Sequence, residues 1–178
     1  MGMPEQVIEA TLRVIEVGGV KEVTVRKVAE ELGRSTTVIT HYFPTREDLL
    51  DAALAQSFTQ SKEQALLFMQ GKKDELWAFL FWSVSAKHRK VWLQLVAAHL
   101  AGLDPHVSKQ IDDFVDWWDS QLLKLLKGRI APGRTSQEVC DAIGVVVEGI
   151  LLSSDRELAS GMSSEQLLKT IISPLLKS

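Results

Sequence analysis

Apolar positions recur with the helical period along nearly the whole chain. Val7, Ile8, Leu12 and Ile15 form one stripe that stops at Gly18-Gly19, which predicts a first helix. Thr24 is placed to cap a short second helix carrying Val25, Val28, Ala29 and Leu32, and Gly33 stops it. Ser35 caps a third helix with Val38, Ile39 and Tyr42, which Pro44 ends because the residue before a proline is pushed out of helical geometry. Thr45-Arg46-Glu47-Asp48 has capping-box spacing and opens a long fourth helix to about Gln70. Further helices are expected over Asp74–Lys87 and Lys90–Ala101, and from the capping pair Asp104-Pro105 to about Lys127. After the turn Ala131-Pro132-Gly133, Thr135 with Glu138 and Ser163 with Gln166 cap the last two, over about residues 135–159 and 163–176.

No segment alternates with period two between turn pairs. Val145-Val146-Val147 is the best strand candidate, but caps and helix formers surround it. The expected class is all-α with about nine helices. Composition narrows this little: 178 residues, 46% hydrophobic and 24% charged, suit one or two compact domains with a core. The single cysteine, Cys140, allows no internal disulfide, which suits a reducing compartment such as the cytoplasm. Neither a signal peptide nor a run of about 20 apolar residues is visible, so no membrane association is expected.

Charge changes the picture only locally. The net charge is −3, yet Lys21, Arg26, Lys27, Arg34 and Arg46 cluster near the start. All but Lys21 lie within Thr24–Leu50, TVRKVAEELGRSTTVITHYFPTREDLL. Two short helices that cross at a tight turn need a small residue at the crossing, here Ala29, and a left-handed turn residue, here Gly33. Val28, Leu32, Val38 and Ile39 can hold the pair against the first and fourth helices. That leaves Ser35, Thr36, Thr37, Thr40 and His41 outward, short polar side chains suited to base edges and phosphates.

This segment closely resembles the DNA-binding domain of TetR-type repressors. Thr24, Ala29, Gly33, Ser35, Tyr42-Phe43, Pro44-Thr45, Arg46 and Leu49-Leu50 carry the resemblance, and His41-Tyr42-Phe43 is similar to the choline-responsive betaine-pathway branch. Thr37 stands where the family usually has glycine, Thr40 where it often has an aromatic, Arg34 where it has a small apolar residue, and Arg46 where it has lysine. The resemblance implies phosphate contacts from Thr24, His41, Tyr42 and Arg46, and base or mixed contacts from Ser35, Thr36, Thr37 and Thr40, with Arg34 open to either role. Tyr42 has a structural alternative as a core aromatic, and Phe43 reads as core. The family architecture implies a helix-turn-helix DNA-binding domain over residues 1–47 and a helical effector-binding and dimerisation domain over residues 48–178.

The larger half holds all five tryptophans. Trp82, Trp92, Phe114, Trp117 and Trp118 are candidates for a small-molecule effector pocket, although aromatics on helices are more often plain core. The branch suggests a cationic ligand on aromatic faces, and Asp112, Asp113, Asp116 and Asp119 surround Trp117-Trp118. The competing reading is a solvated acidic face with one tryptophan packed inward. Glu148 interrupts the apolar stretch Ile143–Leu152 and would meet a ligand, a basic side chain, a symmetry mate or water. The last two helices carry apolar residues on more than one side, and the resemblance implies that they pair two copies as a homodimer. No glycine-rich phosphate loop, metal-spaced ligand set or activated nucleophile is present, so neither an enzyme, a cofactor nor a metal site is expected. The expected function is a ligand-responsive regulator of double-stranded DNA, a repressor released from an inverted repeat by its effector. The alternative is a helical interaction module without sequence-specific DNA binding.

Overall fold

The computed structural model describes residues 2–85, 89–153 and 161–177, with Lys90 described by its backbone alone. Among them run nine α-helices: α1 Met3–Gly18, α2 Val25–Leu32, α3 Thr36–Tyr42, α4 Arg46–Met69, α5 Glu75–Ser83, α6 Arg89–Leu100, α7 Pro105–Leu126, α8 Ser136–Ser153 and α9 Ser164–Ile172. Short 3₁₀ turns follow α1 (Val20–Glu22) and α9 (Ser173–Leu175). The described residues contain no strand ladder, only an isolated antiparallel bridge between Ile130 and Leu176. The fold is all-α, as the periodicity predicts.

The capping signals are realised as hydrogen bonds. Thr45 N–H donates to Asp48 Oδ2 (3.0 Å) while Asp48 N–H donates to Thr45 Oγ1 (3.1 Å), which starts α4. Thr135 N–H and Glu138 exchange the same pair of bonds before α8, and Ser163 and Gln166 do so before α9. Each satisfies two backbone N–H groups that a helix start leaves without partners. Ser35 sits at the cap position of α3 but its side chain makes no capping bond.

Two ends differ from the sequence-based expectation. α5 stops at Ser83, where the backbone tightens into a turn at Val84; the expected continuation over residues 86–87 lies outside the described residues. α9 ends at Ile172, and the chain goes on as a 3₁₀ turn because Pro174 offers no N–H to the helical ladder. The tail of the eighth expected helix, residues 154–159, also lies outside the described residues. Val145-Val146-Val147 is helical, within α8.

The chain forms two compact units. The first comprises Met1–Ser61 and Lys90–Val115, and so contains all of residues 1–47. Its core joins Val7, Ala10 and Ile15 of α1, Val28 of α2, Ile39 of α3, Leu49, Leu50 and Leu54 of α4, Leu95 of α6 and Val107 of α7. The second comprises Lys62–Arg89 and Asp116–Ser178. Its core joins Leu76, Phe79 and Leu80 of α5, Leu122 and Leu126 of α7, Ile143 and Val147 of α8, and Leu168 and Ile172 of α9.

Candidate nucleic-acid interface

The turn between α2 and α3 is built as its sequence requires. Thr24 Oγ1 accepts from Lys27 N–H (3.1 Å) and starts α2. Gly33 takes the left-handed conformation, φ 65° and ψ 38°, and ends it. A side chain there would be strained by the backbone angle itself rather than by crowding, since nothing lies near its missing Cβ. Arg34 N–H reaches back to the Ala29 carbonyl (2.9 Å) and closes the turn. Val28 and Ala29 are buried where α2 meets α1 and α3.

Ile39 is completely buried and sets the rotation of α3 about its axis. Thr36, Thr37, Thr40 and His41 are therefore all exposed. Thr37, Thr40 and His41 fall within about 100° of one another around the helix, a face opposite Ile39. Ser35 and Arg34 lie exposed at its entrance. Thr40 turns its hydroxyl inward, donating to the Thr36 carbonyl (3.1 Å) with a longer approach to the Thr37 carbonyl (3.4 Å). Tyr42 is 42% exposed and meets His41 edge-on, with ring centroids 4.8 Å apart. Phe43 is half-buried. Lys21, Arg26 and Lys27 are exposed in the same segment, and Arg26 pairs with Glu30 along α2 (3.2 Å).

Arg46 occupies a different setting. Its Nε–H donates to the Val23 carbonyl (2.9 Å), one terminal nitrogen to the Val20 carbonyl (3.1 Å) and the other to Asp104 Oδ2 (2.8 Å). The guanidinium thus joins the start of α4 to the α1–α2 connection and to the start of α7. Asp104 is buried and also caps α7, its Oδ1 accepting from His106 N–H (3.0 Å) and Val107 N–H (3.4 Å). Burial alone would raise the Asp104 carboxyl, but the Arg46 bond and these two backbone N–H groups outweigh it and hold the pKa below the usual value. One turn along α4, Asp51 meets the His106 ring (3.1 Å). The capping role of Asp104 is readable in the sequence; its arginine, 58 residues away, is not.

The six residues proposed for an effector pocket separate into different surroundings. In the first unit, Phe114 stacks on Phe58 (4.8 Å between centroids) and meets Trp92 (5.7 Å). In the second, Phe79 gathers Trp82, Trp117 and Trp118. Trp118 packs inward and donates to Ser83 Oγ (2.9 Å), whereas Asp112, Asp113 and Asp116 are exposed. The cation over the Trp117 ring is the chain's own Lys62, 5.6 Å from its centroid. Asp119 is partly buried, which raises its carboxyl, and accepts from the Cys140 thiol (3.6 Å). Burial and that carboxylate push the thiol up to about 12, so it stays protonated. Glu148 is exposed beside Val145, Gly149 and Leu152 on the outer side of α8. A shallow groove of about 470 Å³ in the second unit is lined by Leu66, Met69, Gln121, Lys124 and neighbours, and by none of these six.

Residues 7–53 match the family described as bacterial regulatory proteins, TetR family. The chain is similar to the HTH-type transcriptional regulator BetI of Stenotrophomonas maltophilia, at 32% identity over 71 residues, which are 40% of this chain and 36% of that protein. In this match the chain spans about a third of its relative's length. A longer match, 23% identical over 162 residues, covers 83% of this chain and 76% of BetI 1 of Chromohalobacter salexigens. A likeness of fold to solved regulators covers nearly the whole chain. A transcriptional regulator from Saccharomonospora viridis, solved in complex with choline, superposes with a TM-score of 0.82 at 19% identity, covering 98% of each chain. Within the matched segment, α2, the Gly33 turn and α3 are arranged as a helix-turn-helix, with the polar face of α3 outward. Among the described residues no helix is long and apolar enough to cross a membrane, and no cluster of side chains could hold a metal ion.

Proposed function

We propose that this chain is a ligand-responsive transcriptional repressor that binds an inverted-repeat operator as a homodimer and is released by a small-molecule effector. The observation that carries the reading is the outer face of α3: exposed Thr36, Thr37, Thr40 and His41 on a helix whose rotation Ile39 fixes, inside the TetR-family segment. Short polar side chains on a rigid, narrow helix can enter a major groove and reach base edges. In this reading Thr24 and Tyr42 serve as phosphate contacts, Ser35 as a base or mixed contact and Arg34 as either. Residues 1–47 act as the reading domain and residues 48–178 as the effector and dimer domain.

Three exposed apolar residues support the homodimer. Val145 and Leu152 on α8 are 70% and 67% exposed, and Ile171 on α9 is exposed as well, which suits burial against a second copy. Two heads related by a two-fold axis would read half-sites about 34–36 Å apart. A monomer in sedimentation at micromolar concentration removes this part of the proposal. The aromatic clusters around Phe114 and Phe79 are the candidate effector surfaces. A quaternary amine is the first class to titrate, because the S. viridis regulator was solved with choline; calorimetry without heat for choline and betaine excludes it.

Arg46 enters the proposal conditionally. If it leaves Asp104 for a phosphate on DNA binding, Arg46→Ala lowers the salt slope of operator affinity by about one; an unchanged slope keeps it as a junction within the protein. The central experiment is selection of bound sequences from random duplex DNA. An enriched inverted repeat is the expected result. No enrichment, including after unfolding and refolding to remove a carried-over effector, overturns the reading in favour of an interaction module.

A further inference from the structure

The proposal of DNA reading by α3 can be taken one step further, to the chemistry that one position recognises. Thr40 lies on the exposed face, between Thr36 and Thr37 around the helix. A threonine offers two groups from its Cβ, a hydroxyl and a methyl. Here the hydroxyl proton is engaged by the chain's own backbone, at the Thr36 and Thr37 carbonyls. Among the described residues of α3, Thr40 alone turns its hydroxyl back onto its own helix. That bond selects the side-chain rotamer and removes the donor that would otherwise seek a base oxygen or N7. The methyl is the branch left for the outer surface.

We infer that Thr40 is a specificity-determining residue that reads the C5 methyl of a thymine in the major groove through its own methyl group. The inference rests on the proposed DNA-reading role of α3. In the major groove only thymine carries a methyl at this edge, so an apolar contact there separates T from C and from both purines without a hydrogen bond. Thr37 and Thr36, with hydroxyls not turned back in this way, remain available for polar contacts beside it.

The test uses the operator recovered by selection. Each thymine is replaced in turn by deoxyuridine, which removes the methyl and leaves base pairing intact. Affinity is then measured by fluorescence anisotropy for the full-length wild type, Thr40→Ser and Thr40→Val. One thymine in each half-site is expected to weaken wild-type binding about fourfold when its methyl is removed, the effect of losing one buried methyl group. Thr40→Ser, which keeps the hydroxyl and lacks the methyl, should be indifferent to that replacement; Thr40→Val, which keeps the methyl, should retain the sensitivity. The inference is overturned if no deoxyuridine position affects the wild type. It is equally overturned if the sensitive position persists in Thr40→Ser, or if Thr40→Val loses the sensitivity while melting like the wild type. The deoxyuridine series on the wild type requires no variant to fold. Failure of the selection itself to enrich any sequence would remove both the DNA reading and this inference, whereas a recovered operator insensitive to deoxyuridine removes this one alone.

Discussion

Each compact unit contains an aspartate at a helix N-cap that is held by an arginine from a distant part of the chain. In the second unit, Asp74 caps α5 by accepting from Trp77 N–H (3.2 Å) and meets Arg129 fork to fork, at 2.8 and 2.7 Å. In the first, Asp104 caps α7 but receives only one nitrogen of Arg46, whose other donors go to the Val20 and Val23 carbonyls. The Asp74 side chain is 37% exposed and that of Asp104 7%. Arg129 therefore makes a strong two-point bond in a partly solvated place. Arg46 spreads its donors over three chain segments in a drier one. The first arrangement fixes one helix start; the second fixes where the α1–α2 connection stands relative to α4 and α7.

The difference predicts unequal consequences. Arg46→Ala should have the largest, about 3 kcal/mol in denaturant unfolding, because it strands two carbonyls and a buried carboxylate together. A loss below about 1 kcal/mol would mean that water replaces the guanidinium and the junction is dispensable. Arg46→Lys should cost about 1–2 kcal/mol, since an ammonium cannot serve three acceptors in one plane. If the lysine variant melts with the wild type, planar geometry is not what the site uses. Arg129→Ala should cost about 1 kcal/mol at low salt and less at high salt, the screening expected of a partly exposed pair. Equal salt sensitivity at Arg46 and Arg129 would erase the contrast in burial.

The smallest effect concerns acid. At Asp74 the Arg129 hydrogen bond lowers the carboxyl most, and at Asp104 the Arg46 bond and the cap overcome burial. Both folded-state values therefore lie below the 3.8 of a free side chain. The stabilisation from these groups is complete above that value and is lost as pH falls through the lowered folded values. Urea midpoints should be flat between about pH 5 and 7 as far as these groups contribute, and fall below about pH 4. The Asp104→Asn variant, which keeps a capping oxygen, should show a shallower fall.

The sequence by itself determined the helices and most of their starts. Thr24, Thr45, Thr135 and Ser163 each sit within three residues of the group they bond, so local chemistry specifies them. It determined the turn at Gly33 and the outward face of α3 as well, because a fully buried Ile39 and exposed threonines follow from one helical period. The sequence also marked Asp104 as a cap. Only the tertiary structure decided that Arg46, read from its resemblance as a phosphate contact, faces Val20, Val23 and Asp104 in the protein alone. Tertiary packing likewise distributed the aromatic residues into different clusters, placed Lys62 over Trp117 and left Glu148 exposed. The physical reason is range. A cap or a turn is settled by neighbours a few residues apart, whereas the partner of an arginine or the surroundings of a tryptophan depend on segments brought together by burial of the core.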